Sequence, residues 1–108
     1  MKKKIILVLG DPNSINSEII FKSWKKLSTS LKKRIYIIAN YNLVLSQFKK
    51  LNYSLSCFLV KNIYEKENNK HLKIININLN FEKPFSIKKR EASEFVKKSL
   101  TLAHKLAL

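Results

Sequence analysis

Apolar residues in this chain gather in short runs, separated by stretches rich in lysine, asparagine and serine. The first run, within Lys4–Leu9 (KIILVL), is continuous and stops at Gly10-Asp11-Pro12, which predicts a buried strand. Beyond it Ile15, Ile19, Ile20, Ser23 and Leu27 recur at helical spacing, with Lys22, Lys25 and Lys26 on the other side. Asn16 is a candidate N-cap for this helix, and Glu18 suits the positive end of its dipole. Ser28-Thr29-Ser30 reads as a loop.

Arg34–Ala39 (RIYIIA) is rich in β-branched residues and predicts a second strand. Asn40 then stops it and caps a helix over about Tyr41–Leu51, whose seam is Leu43, Val44, Gln47, Phe48 and Leu51. A third apolar run covers Leu55–Val60, a polar loop covers Glu65–Lys70, and Lys73–Leu79 reads as a further strand with Asn76 and Asn78 on one face. Pro84 disfavours helix just before it. From Lys88 to Ala107 the 3.6-residue period is the clearest in the chain: Ala92, Phe95, Val96, Ser99, Leu102, Ala103 and Leu106 share one face. Arg90, Glu94, Lys97, Lys98, Thr101 and Lys105 share the other, and Glu94 to Lys98 is a favourable i,i+4 pair.

The order β-α-β-α-β-β-α implies an α/β layer with some parallel pairing and no internal domain boundary. A helix standing last, with no C-cap glycine and no following strand, reads as a truncated α/β unit. Two apolar strands and the last helix would then lack partners, so exposed apolar surface and aggregation are expected.

Composition removes several functions. With one glycine, Gly10, the chain cannot write a Walker loop or a G-x-G-x-x-G turn. With one cysteine, Cys57, it cannot form an intramolecular disulfide or a zinc ribbon. The apolar run Ile5–Leu9 is shorter than the roughly 7–15 residues of a signal-peptide core, and no stretch is suited to a membrane span, so a cytoplasmic location is expected. The net charge of +15 comes almost wholly from 20 lysines, with only Arg34 and Arg90 as arginines. Lysine, asparagine and isoleucine, all written by A/T-rich codons, dominate, which points to base composition and solvated lysines. The basic pairs are spread along the chain, arginine is scarce and no aromatic stacking pattern accompanies them, which weighs against nucleic acid as the partner. A small basic α/β module for nucleic acid or protein interaction is the alternative reading.

Candidate chemistry is sparse. His71 sits in a loop and His104 at the polar edge of the last helix, neither with a second ligand at metal spacing. Cys57 lies in an apolar run and reads as a buried structural thiol, and Trp24 as packing. Asp11 and Glu18 could pair as carboxylates, although their spacing across a turn sets no geometry.

The stretch Gly10-Asp11-Pro12-Asn13-Ser14-Ile15-Asn16-Ser17-Glu18-Ile19 carries the specific signal. It resembles the N-terminal motif G-D-P-x-G-I-G-P-E-I of the 4-hydroxythreonine-4-phosphate dehydrogenases, with Gly10, Asp11, Pro12, Ile15, Glu18 and Ile19 matching. Ile37-Ile38-Ala39-Asn40 followed by Leu43 is similar to the family's second strand and G-D-x-x-x-L turn. Pro84-Phe85-Ser86 through Glu91-Ala92 to Leu106-Ala107-Leu108 is similar to its P-F-G-x-x-S-A-E-A-G helix. The motif's inner glycines are replaced by Ser14 and Asn16 and its proline by Ser17; Asn16 tolerates the left-handed region best among substitutes.

The resemblance implies the N-terminal part of an isopropylmalate-dehydrogenase-like α/β/α fold. For the full-length family it also implies NAD, a divalent metal ion, a small phosphorylated substrate and a homodimer. The activity is oxidation, with decarboxylation, of 4-phosphooxy-L-threonine in pyridoxal phosphate biosynthesis. The family's metal-binding histidines and substrate-binding residues have no counterpart in this chain. No catalytic, cofactor or metal residue is therefore expected here, and the chain alone is expected to be inactive.

Overall fold

The structure, a computed structural model, describes residues 3–61 and 70–107. Eight elements follow one another: β1 (Ile5–Val8), α1 (Asn16–Lys26), α2 (Thr29–Arg34), β2 (Ile35–Ala39), α3 (Tyr41–Lys50), β3 (Cys57–Val60), β4 (Leu72–Asn76) and α4 (Lys89–Ala107). The strands form one sheet in the order β1-β2-β4-β3, and all three pairings are parallel. Ile5 lies opposite Ile35, Tyr36 opposite Lys73 and Cys57 opposite Leu72. The expected α/β class therefore holds. The polar loop expected over Glu65–Lys70 lies, apart from Lys70, outside the described residues.

A parallel sheet is covered on both faces, so its inner strands are mainly apolar. β2 (IYIIA) is buried at all five positions. Ile35, Ile37 and Ala39 face a core built with Phe21 and Trp24 of α1 and Leu43, Val44 and Phe48 of α3. Tyr36 and Ile38 face the other way, into a smaller cluster with Ile75, Val60 and the α4 residues Leu102, Ala103 and Leu106. The seam expected for α4 is the face that packs, with Ala92, Phe95 and Ser99 buried. The buried Ser99 hydroxyl donates to the Phe95 carbonyl at 2.8 Å, which removes its cost inside the helix.

Three local expectations are corrected. Ser28-Thr29-Ser30 does not form a plain loop: Ser28 accepts a hydrogen bond from the Leu31 amide at 3.2 Å and starts α2, which displaces the start of β2 from Arg34 to Ile35. The buried face of α1 is Ser17, Phe21 and Trp24, while Ile15 and Ile19 are 63% and 51% exposed and Ser23 is exposed. Asn16 is the first helical residue rather than the cap, and its side-chain Nδ2 donates back to the Leu9 carbonyl at 2.7 Å.

The end of α3 is locked by a local arrangement. Asn52 takes φ of 59°, its amide donates to Lys49 O, and the Tyr53 amide donates to Phe48 O at 2.8 Å. This is the paired-bond ending that satisfies the last carbonyls of a helix. It places Tyr53 flat on Phe21, with ring centroids 4.0 Å apart, and edge-on to Phe48. Among the described residues one cation is fully buried: Lys73 on β4 lies 4.3 Å from the Tyr36 ring centroid and donates from Nζ to the Lys33 carbonyl. Both partners offset the desolvation of its ammonium.

Candidate functional site

In parallel α/β sheets ligands meet the carboxyl ends of the strands, where loops rather than ladders decide the surface. Here that end is built from the loop after β1, the start of α3 after β2, and the segment between β4 and α4.

Gly10 turns the chain off β1 at φ of +80°, a backbone conformation that L side chains rarely adopt. A Cβ there would stand 3.3 Å from the Asn16 amide nitrogen. Asp11 closes the turn: its carboxylate accepts from the Asn13 amide at 2.9 Å, and its carbonyl accepts from the Ser14 amide and hydroxyl at 3.2 and 3.0 Å. Neither Ser14 nor Asn16 has positive φ, since among the described non-glycine residues only Asn52 does. The turn therefore dispenses with the motif's inner glycines and is held by side-chain hydrogen bonds instead.

Two amides then fasten this loop to the segment before α4. The Asn13 side chain donates to the Ile87 carbonyl at 2.9 Å and accepts from the Ile87 amide at 2.7 Å. Gln47, buried in α3, donates to the carbonyls of both Pro12 (2.8 Å) and Pro84 (2.6 Å). Asn40 does the same one strand over, accepting from the Leu43 amide at 3.0 Å and donating to Ile77 O at 2.8 Å. Asn76 accepts from the Tyr41 amide at 2.8 Å. The abundant asparagines are thus, at this end, connectors for backbone groups that have no ladder partner.

Beside the fastened loop runs a groove of about 530 Å³. Ile87, Ala92 and Val96 give it apolar walls, while Asp11, Lys89 and Lys97 bring charges of both signs. It can hold a small molecule by contact and charge. Nothing at its walls pairs a nucleophile with a base.

The motif residues separate in space. Gly10, Asp11 and Pro12 form the loop, with Pro12 fully buried, whereas Ile15 is exposed. Glu18 faces elsewhere: it pairs with Lys22 at 2.9 Å and accepts from the Tyr53 hydroxyl at 3.1 Å. The hydrogen bonds from Lys22 and Tyr53 hold its carboxyl below the usual carboxylate range. Asp11 and Glu18 are each engaged by different partners and do not act as a pair. Cys57 is half-buried rather than fully buried, and desolvation pushes its thiol up to about 11. His71 lies beside Phe58 and His104 is exposed in the last turn of α4, so neither reaches the groove. Trp24 is core packing.

The sequence placed Gln47 on the apolar seam of α3, and a polar residue there was the signal of a buried connector. Asn13 carried no such signal, because its partner is a backbone group 74 residues away.

Whether the residues present suit a divalent ion can be tested on their donors. Among the described residues, no three His, Cys, Asp or Glu side chains gather closely enough to hold one. No helix among them is long and apolar enough to cross a membrane.

No family model and no curated protein sequence matches the chain. Solved structures do. A candidate 4-hydroxythreonine-4-phosphate dehydrogenase from Salmonella typhimurium superposes with a TM-score of 0.82 at 18% identity, over 99% of this chain and 34% of that one. The 4-hydroxythreonine-4-phosphate dehydrogenase of Klebsiella pneumoniae gives 0.78 at 20% identity, over 98% and 34%. That of Burkholderia phymatum gives 0.69 at 15% identity, over 97% and 34%. The chain spans about a third of the length of each. At these identities the likeness is one of fold, and it falls on the same dehydrogenases that the Gly10–Ile19 motif resembles.

Proposed function

We infer that these 108 residues are the N-terminal portion of a 4-hydroxythreonine-4-phosphate dehydrogenase. The enzyme carries out NAD-dependent oxidation, with decarboxylation, of 4-phosphooxy-L-threonine on the way to pyridoxal phosphate. The observation that carries this reading is the superposition of 99% of the chain on a third of such an enzyme, with the Gly10-Asp11-Pro12 turn at the carboxyl end of β1. In this reading the whole enzyme is a cytoplasmic homodimer that uses a divalent ion and NAD, and the residues that hold them lie outside the 108. The donor set of the described residues does not fit a divalent ion, so no step of the oxidation is assigned to them.

Their part is architectural. Asn13 and Gln47 fix the β1 loop against the start of α4, so Asp11 and the α4 residues Lys89 and Lys97 are presented from a rigid edge of the groove.

The experiment is genetic complementation of a pyridoxine-requiring strain that lacks the dehydrogenase. The complete natural reading frame restores growth without pyridoxine, and a gene ending at codon 108 does not. Failure of the complete frame, in a strain rescued by a known dehydrogenase, overturns the reading. Binding of the chain to RNA or DNA with submicromolar affinity and a steep salt dependence supports the nucleic-acid alternative instead.

A further inference from the structure

We propose that the last turns of α1, α2 and α3 form one cationic face that docks on the phosphate backbone of a nucleic acid without reading its bases. Along the chain the lysine pairs are spread out, and folding gathers them. The strands all run the same way in the sheet, so the helices that lead from one to the next must return to its amino end. α1 stops there at Lys25-Lys26, α2 carries Lys32-Lys33 there just before β2, and α3 stops there at Lys49-Lys50. Lys32 is half-buried and the others are exposed. Aromatic contacts hold the three ends together. Phe21 of α1 meets Phe48 of α3 with ring centroids 5.8 Å apart, and Lys49 follows Phe48 directly. Lys25 Nζ lies 4.3 Å from the Phe21 ring centroid, and Lys32 Nζ of α2 lies 5.7 Å from that of Trp24 in α1.

The carboxylates among the described residues sit at the other end. Asp11 follows β1, Glu18 is in the first turn of α1, and Glu82, Glu91 and Glu94 belong to the segment entering α4 and to its first two turns. Base composition sets how many lysines the chain has, but not this division. Helix dipoles do not account for it either. A helix C-terminus carries about half a negative charge, so three of them call for about one and a half cations, fewer than the paired lysines supply.

Chemistry selects the partner. Lysine is a point charge suited to phosphate, whereas base edges are read chiefly by arginine and by amides. Phe21 and Trp24 are buried in the core, so neither offers a ring for base stacking. No large apolar residue is exposed in these last turns. An anionic membrane would want apolar anchors there, and a protein interface would want an apolar centre, from which lysine is depleted. Backbone docking of this kind has a Kd of roughly 10⁻⁴–10⁻⁶ M at physiological salt, weaker than the submicromolar binding that would make nucleic acid the chain's main partner. It does not depend on the dehydrogenase reading.

Fluorescence anisotropy of a labelled DNA duplex of about 20 base pairs tests this, titrated with the product of the complete natural reading frame at roughly 50 to 200 mM salt. Lys26→Gln, Lys33→Gln and Lys50→Gln together weaken binding by roughly 10-fold or more and reduce the slope of log Kd against log salt by about 2–3. Lys83→Gln, Lys88→Gln and Lys98→Gln, which remove the same charge from the segment before α4 and from its middle, change Kd by less than about 3-fold. Lys26→Arg, Lys33→Arg and Lys50→Arg together keep the parent affinity, which marks the loss in the first variant as one of charge and not of folding. Any of five results overturns the proposal: equal losses in the two glutamine variants, no salt-dependent binding by the parent protein, a loss in the arginine variant, a preference beyond about 10-fold between A/T and G/C duplexes, or tighter binding to phosphatidylserine–phosphatidylcholine vesicles than to the duplex.

Discussion

Replacing Asn13 by alanine tests the fastening on which the site depends. The side chain makes two hydrogen bonds to the backbone of Ile87, at 2.9 and 2.7 Å, and Ile87 is buried. Alanine leaves a backbone N–H and a C=O without these partners. A net hydrogen bond contributes about 0.5–1.5 kcal/mol, and a buried group left unpaired costs about 1–3 kcal/mol. The site is part-buried and water can replace some of the loss, so Asn13→Ala is expected to cost about 2 kcal/mol. In a domain of this size that lowers Tm by roughly 10 °C. Urea denaturation followed by circular dichroism reads it as a lower midpoint at unchanged slope. Asn13→Asp keeps the acceptor for the Ile87 amide but sets a carboxylate oxygen against the Ile87 carbonyl, so it does not rescue the loss. A cost below about 0.5 kcal/mol for Asn13→Ala, the level of an ordinary surface change, refutes the fastening.

Gly10→Ala is expected to cost about 1–2 kcal/mol, because φ of +80° strains an L residue and the new Cβ crowds the Asn16 amide that holds Leu9 O; an unchanged urea midpoint contradicts this. Asn52→Gly leaves stability unchanged or slightly raised, and Asn52→Ala lowers it by about 1 kcal/mol, both read from thermal midpoints; equal effects of the two would mean the left-handed end of α3 is not formed. Cys57, with its thiol pushed up to about 11, is almost wholly protonated at pH 8. Alkylation there is roughly 100-fold slower than in the urea-unfolded chain. Because the folded value lies above the unfolded one, the thiol's stabilising contribution is complete below the ordinary cysteine value and is lost as pH rises to about 11. Cys57→Ser removes that part of the alkaline decline in urea titrations, and an identical decline in both proteins contradicts the shift.

What the sequence revealed follows from which physics is local. α4 was legible because a 19-residue helix repeats its apolar period often enough to leave one choice of face. β2 was legible because five consecutive apolar residues suit a strand covered on both sides. α1 misled in part because its apolar residues fall on two stripes: Ile20 and Leu27 of the expected seam do pack against the core with Phe21 and Trp24, but Ile15 and Ile19 do not, and spacing alone does not separate them. The exposed stripe, through Ile19, borders the open edge of β1. α2 was missed because TSLKKR has no buried residue and starts from a single serine cap. At the site the sharp turn at Gly10 was readable from residue type. The Asn13–Ile87 and Gln47–Pro84 contacts were not, because they join side chains to distant backbone, which leaves no pattern in the residues. The buried Lys73 was hidden for a similar reason: its acceptor is the Lys33 carbonyl.

The proposal that this chain is one portion of a 4-hydroxythreonine-4-phosphate dehydrogenase is tested on the reaction itself. The most direct measurement is formation of NADH from NAD and 4-phosphooxy-L-threonine, with a divalent ion present, by the product of the complete natural reading frame and by residues 1–108 in parallel. Substrate-dependent NADH with CO₂ release is expected from the complete product and none from the 108 residues. Turnover by the 108 residues alone, or none by a folded complete product, would contradict it.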